Sequence, residues 1–183
     1  MAEVLLLHHA QGLTEGVLAF ADELRSAGHV VHAPDLYDGN TFASLDEGMA
    51  YAEQVGFGRI IERGRAAAEA LPAELVYVGF SLGVLPAQML AQTRPGARGA
   101  VLLHATVPLG EFGAWPDGVP LQIHTVENDE LGDADVAKQV AAEVEGAELF
   151  LYPGDRHLVT DSSLPGFDPE VAARVTRRVQ RFL

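Results

Sequence analysis

The sequence predicts an α/β domain built on about six mainly parallel strands, and three observations carry that reading. Short apolar runs alternate with longer stretches of helical period, the pattern of repeated βαβ units. The runs VLLL, LVYV and AVLL are nearly continuous in apolar residues, as strands covered on both faces are. A serine flanked by glycines, GFSLG at Gly79–Gly83, stands where one apolar run ends and a helical period begins.

The predicted strands, in order, are Val4 to His8, His29 to Ala33, Leu75 to Gly79, Gly99 to His104, Leu121 to Val126 and Glu148 to Tyr152. Between the first two, Val17, Phe20, Ala21 and Leu24 share a helical face, with Thr14 as cap and Gly28 as terminator. Ile60, Ile61, Ala67, Ala68 and Leu71 outline a second helix before Pro72, and Leu85, Met89 and Leu90 a third directly after Ser81. Val136, Val140 and Val144 recur every four residues and stop at Gly146. Asp168 and Pro169 form a cap with a first-turn proline, and Val171, Val175, Val179 and Phe182 carry the last helix. Two stretches fit neither period. Tyr37 to Gly58 is long enough for an excursion with a short helix, and Thr106 to Pro120 is rich in Gly and Pro. Loops of this length in a small domain are often functional.

The chain of 183 residues is sized for one domain, 1–183, and its 48% hydrophobic content is that of a packed core. A formal charge of −14 repels phosphate backbones and anionic lipid surfaces, which argues against nucleic-acid and membrane partners. No run approaches the ~20 apolar residues of a membrane span. The N-terminal MAEVLLLHHA has neither a basic leader nor a small-residue cleavage site, so the expected compartment is the cytoplasm. Cysteine is absent, which excludes disulfides, thiolate metal sites and cysteine nucleophiles. The arginines at 174, 177, 178 and 181 lie off the apolar stripe of the last helix and read as a solvated face.

The strand–GFSLG–helix arrangement is the context of a nucleophile elbow. Glycines at 79 and 83 leave room for a tight turn, and the amide of the residue after the serine faces any oxyanion formed there. The plainer reading is a glycine-flanked serine capping a helix. A serine hydroxyl needs a base to take its proton and an acid to orient that base. His157 lies five residues after the last predicted strand, and Asp129 lies just past the fifth. Both fall at strand C-termini, the sheet edge where Ser81 must lie. Glu127, Glu130 and Asp133 are rival acids within reach of the same turn.

Other polar clusters compete for attention. His8, His9 and His104 sit near predicted strand ends, and imidazoles suit zinc. Neighbouring residues on a strand point to opposite faces, however, and no HExxH pair exists, so metal is not expected. One of these imidazoles is expected to line the pocket, whereas His29, His32 and His124 read as structural. Asp35 and Asp38 in PDLYDG read as turn caps. Phe42, Phe112 and Trp115 lie in the long loops, as an acyl wall or as packing.

VLLLHHAQGL, HVVHAPDLYDG, VGFSLG, the ND of VENDE and YPGDRHL together resemble the dienelactone hydrolase family of the α/β-hydrolase superfamily across nearly the whole chain. The resemblance implies a compact α/β-hydrolase fold with strand order 2-1-3-4-5-6 and no large cap. It also implies hydrolysis of small carboxylic esters or lactones through an acyl-enzyme, without metal or organic cofactor. Ser81 would be the nucleophile, His157 the general base and acid, and Asp129 the orienting acid. The amides of Leu82 and Ala10 would form the oxyanion hole, and His9, Gln11, His104, Phe112 and Trp115 are the candidate substrate-binding residues. The expected partner is a small-molecule ester or lactone; oligomeric state has no signature in the sequence. Three departures stand out: a serine where the namesake enzyme has cysteine, His9 in place of a glutamate, and Asp161 in place of an arginine that binds substrate carboxylate. An acid at 161 is expected to repel such a substrate. A noncatalytic small-molecule binder on the same fold is the leading alternative, and a metal-assisted hydrolase the next.

Overall fold

The computed structural model describes residues 1–183. Six strands, β1 (Glu3–Leu7), β2 (Val30–His32), β3 (Val76–Phe80), β4 (Gly99–Leu103), β5 (Leu121–Val126) and β6 (Glu148–Tyr152), form one sheet in the order β2-β1-β3-β4-β5-β6. Every pairing is parallel, so all strand C-termini lie along a single edge.

Alternation along β1 divides the core. Leu5 and Leu7 face one layer with Tyr77, Leu102 and Ile123, while Val4 and Leu6 face the other with Val76, Val78 and Val101. The first layer is covered by α3 (Phe57–Glu69), α4 (Val84–Thr93) and α5 (Ala134–Glu143), through Ile60, Ala68, Val84, Ala87, Leu90, Ala137 and Val140. The second is covered by α1 (Glu15–Ser26) and α6 (Pro169–Phe182), through Val17, Phe20, Leu24, Val171, Val175 and Val179. Each of the larger side chains (Val, Leu, Ile and Phe) removed from water contributes about 2 kcal/mol, and the alanines less. The central strands are buried throughout; β2 and β6, at the edges, are only partly covered.

The excursion after β2 holds a full helix, α2 (Leu45–Val55), opened by a reciprocal capping box between Ser44 and Glu47. Its Gly48 lies so close to the carbonyl of Ala10 that a Cβ would overlap it, which seats the helix on the loop after β1. Asp35 accepts the N–H groups of Tyr37 and Gly39, and so acts as the turn residue its context predicts. Thr106 to Pro120 contains only a single 3₁₀ turn, Leu109–Glu111. Buried Gln88 and Gln92 of α4 fasten it: Gln88 bonds to Val107 at both N–H and C=O, and Gln92 donates to the carbonyls of Leu109 and Gly113. The arginine face of α6 is not wholly solvated. Arg178 lies 4.0 Å from the centre of the Phe150 ring and donates to the Tyr152 hydroxyl at 2.8 Å, because the partly open β6 leaves those aromatic faces available.

Candidate active site

Ser81 follows β3 directly and opens a 3₁₀ turn, Ser81–Gly83, that runs into α4. Its φ is +47°, a region that L-residues seldom occupy and that marks local strain. The flanking glycines are required by space. A Cβ on Gly79 would lie 2.6 Å from the Gly83 carbonyl oxygen, and one on Gly83 would overlap the carbonyl of Leu7 on β1. The turn therefore presses against both its own helix and the neighbouring strand.

Two loops from the far side of the sheet meet Ser81. Beyond β5, Glu127 and Asn128 donate their N–H groups to Tyr152 and Gly154, tying the β5 exit to the β6 exit. Asp129 is buried in the resulting turn, and its Oδ1 accepts the Leu131 N–H at 3.1 Å. Its Oδ2 accepts from His157 Nδ1 at 2.6 Å, and His157 Nε2 lies 2.8 Å from Ser81 Oγ. With Nδ1–H given to the carboxylate, Nε2 is left to accept the serine proton. Of the rival acids, Glu127 and Glu130 are exposed, and Asp133 caps α5 by accepting from the Val136 N–H. Asp129 alone is turned to His157.

Leu82 follows the serine within the elbow, and Ala10 lies in the loop after β1, whose exit at Leu7 and His8 packs against Gly83. Ala10 is fully buried, yet its N–H has no acceptor within the protein. A buried donor left without a partner is uncommon and is open to an acceptor from outside the protein.

The candidate substrate-binding residues fare differently. His9 is fully buried; Nδ1 accepts the Gln11 N–H at 3.2 Å and Nε2 donates to Asp161 at 2.7 Å, so neither nitrogen is free. The Gln11 side chain donates to the Phe42 carbonyl at 3.1 Å and holds the excursion loop. Phe112 lies between Leu109 and Gly113, whose carbonyls are held by the last turn of α4, about 15 Å of helix from Ser81. Trp115 donates to the Val119 carbonyl and lines a hollow of about 530 Å³ with Glu143 to Glu145. Those residues lead into β5 and β6 at the opposite sheet edge, so neither aromatic is brought to the serine. Phe42 packs with Tyr37 and Tyr51 beneath the excursion.

Asp161 also departs from expectation. Its side chain is fully buried and takes donors from His9, Thr14 and Ser163, so it presents no open surface to a substrate. Burial pushes its pKa upward, but hydrogen bonds from His9, Ser163 and Thr14 outweigh that and hold it at about 2.

His104 remains at the site. It follows β4 with φ +65°, its ring lies 6.0 Å from that of His157, and its Nε2 is 2.6 Å from Thr160 Oγ1. Burial, then the neighbouring His157, His9 and His124, hold its pKa well below the ordinary imidazole range, against the pull of Asp161. Its Nδ1 and the Thr106 hydroxyl are buried without partners. His8 faces the other layer, edge-on to Tyr37, donating Nδ1–H to the His9 carbonyl and accepting the Leu36 N–H. His8 and His9 thus serve different faces, and no three His, Asp or Glu side chains converge on a point. His29 accepts from Ala2, His32 pairs with Glu3, and His124 lies between Gln122 and Tyr152.

The six-stranded parallel sheet in this order, with a serine elbow at its C-terminal edge, defines an α/β hydrolase fold. The family model for the dienelactone hydrolase family matches residues 1–183, and the chain belongs to that family. A dienelactone hydrolase-like promiscuous phosphotriesterase from metagenomic libraries is similar at TM-score 0.75 and 20% identity, over 100% of this chain and 85% of that one. A dienelactone hydrolase from Anabaena variabilis gives 0.74 and 16%, over 99% and 84%. A structure grouped with the alpha/beta superfamily hydrolases, from Xanthomonas campestris pv. campestris, gives 0.64 and 26% over 100% of both chains. No curated protein matches the sequence. The chain is thus a hydrolase of the dienelactone hydrolase family.

Proposed function

We propose that this hydrolase cleaves small carboxylic esters or lactones through an acyl-enzyme on Ser81. The observation that carries the reading is the continuous relay from Ser81 Oγ to His157 Nε2 at 2.8 Å and from His157 Nδ1 to Asp129 Oδ2 at 2.6 Å. In the first half-reaction Ser81 Oγ bonds to the ester carbonyl carbon while its proton passes to His157 Nε2. Negative charge gathers on the carbonyl oxygen, where the amides of Leu82 and Ala10 receive it. As the tetrahedral species collapses, the C–O bond to the alcohol breaks and His157 gives its proton to the departing oxygen. Water then attacks the acyl-serine, losing a proton to His157, and the acid leaves as Ser81 recovers its proton. Asp129 stays ionised throughout and steadies the imidazolium. No step requires a metal or an organic cofactor, and the partner is the small-molecule ester itself.

Hydrolysis of a short-chain p-nitrophenyl ester by the purified chain tests this. The wild type is expected to turn over, and Ser81→Ala to retain no more than background. Equal rates in the two, or loss of the wild-type rate on adding a chelator, would refute it.

A further inference from the structure

The loop carrying Ala10 and the loop carrying His157 belong to different strands, yet one carboxylate joins them. His9 precedes Ala10, and its Nε2 donates to Asp161 Oδ2 at 2.7 Å across 152 residues of sequence. The same oxygen accepts the Thr14 hydroxyl, which also caps α1 by accepting from the Val17 N–H. Asp161 Oδ1 accepts both the N–H and the hydroxyl of Ser163, at 2.8 and 2.6 Å. The Asp161 N–H closes a turn onto the Leu158 carbonyl at 3.1 Å, and Leu158, at φ +55°, directly follows His157. One residue earlier, Thr160 is held by His104. A Cβ at Gly16 would overlap Asp161 Oδ1, so the first turn of α1 is also shaped around this carboxylate.

Buried charge of this kind is a poor way to gain stability, since well-packed apolar residues often serve as well. It does fix geometry: two fully buried side chains, each with all its polar atoms matched, tie the oxyanion loop to the histidine loop while touching neither Ser81 nor Asp129. We infer that Asp161, acting through His9, is a positioning residue that keeps the Ala10 amide in register with His157, so that oxyanion donor and general base address the same carbonyl. The role rests on the acyl-enzyme reading above.

The test uses the full chain with Asp161→Asn, His9→Phe and His9→Gln, each confirmed folded by its thermal melt, and two readouts. One is steady-state hydrolysis of a short-chain p-nitrophenyl ester; the other is the rate of fluorophosphonate adduct formation at Ser81, which needs no knowledge of the natural substrate. Asp161→Asn places an amide against donors, and His9→Phe removes the link. Both are expected to lower kcat and the labelling rate on the order of 10²-fold, with KM nearly unchanged. His9→Gln, whose amide both donates and accepts, is expected to recover most of that loss, and His9→Phe with Asp161→Asn to be no worse than the poorer single variant. Wild-type kcat and labelling in a folded Asp161→Asn or His9→Phe, or equal losses in His9→Gln and His9→Phe, would overturn the inference. Should Asp161→Asn not fold, the two His9 variants decide. Ser81→Ala run alongside separates the two ideas, because turnover that survives it sinks the acyl-enzyme reading whatever Asp161 does.

Discussion

Ser81 is held at φ +47° between two glycines that cannot carry side chains, and its hydroxyl meets an imidazole already committed to a buried carboxylate. These residues were legible in the sequence because each sits at a position the chain itself marks: the elbow by its glycines, Asp129 and His157 by their places just past apolar runs. The Asp161–His9 link was not, since nothing local reports a contact between residues 152 positions apart. Phe112 and Trp115 were misplaced for a different reason. Their loop runs from the C-terminal edge of β4 to the N-terminal edge of β5; Phe112 lies at its midpoint and Trp115 beyond it, already leaving the edge where Ser81 stands. At this scale Asp129→Asn is expected to lower kcat on the order of 10⁴-fold with little change in KM, because the amide no longer fixes the Nδ1–H tautomer of His157. Glu127→Gln and Glu130→Gln, both exposed, should leave kcat unchanged. Steady-state kinetics of the three variants checks the assignment of the acid.

Among the elements, strands and capped helices were legible because their signals are local. Thr14 caps α1 and Asp168 caps α6 with Pro169 in the first turn, as their sequence contexts predict. The length of α2 was less clear, although SLDE at Ser44–Glu47 is a capping box that marks its start. The role of Gln88 and Gln92 was missed; two amides four residues apart in an otherwise apolar helix were the available sign that something polar is bound there. The elbow itself is the element with the least slack. Gly83→Ala places a methyl on the Leu7 carbonyl and should destabilise the fold by about 3 kcal/mol, whereas Gly110→Ala meets open space and should be nearly neutral. Urea denaturation of both variants measures the contrast, and similar midpoints would contradict the packing described for the β3–α4 turn.

For the molecule as a whole, the parallel sheet brings the exits of β1, β3, β4, β5 and β6 to one edge, which is why residues as distant as Ala10, Ser81, His104, Asp129 and His157 belong to one region. Three histidines buried in that architecture make its stability depend on pH. Burial lowers His8 to about 4 and His124 to about 3, and holds His104 well below its ordinary value. The unfolded chain binds protons at these imidazoles near 6.5, before the folded chain does. Stability present above pH 6.5 is therefore lost as pH falls toward 4, with His8 alone accounting for roughly 3 kcal/mol by the lower end. Asp161 adds a further loss only between its ordinary 3.8 and about 2. Thermal melts from pH 7.5 to 4.5 should show Tm falling below 6.5, and His124→Asn should flatten the slope; a Tm independent of pH in the wild type would contradict the burial of these groups.

The central claim, that Ser81 forms a covalent intermediate, is tested most directly by intact mass and peptide mapping after treatment with a fluorophosphonate. One adduct per chain is predicted, on the peptide containing Ser81, and none in Ser81→Ala or after prior unfolding. An unmodified wild-type chain under conditions that label a control esterase, or an adduct that persists in Ser81→Ala, would contradict it.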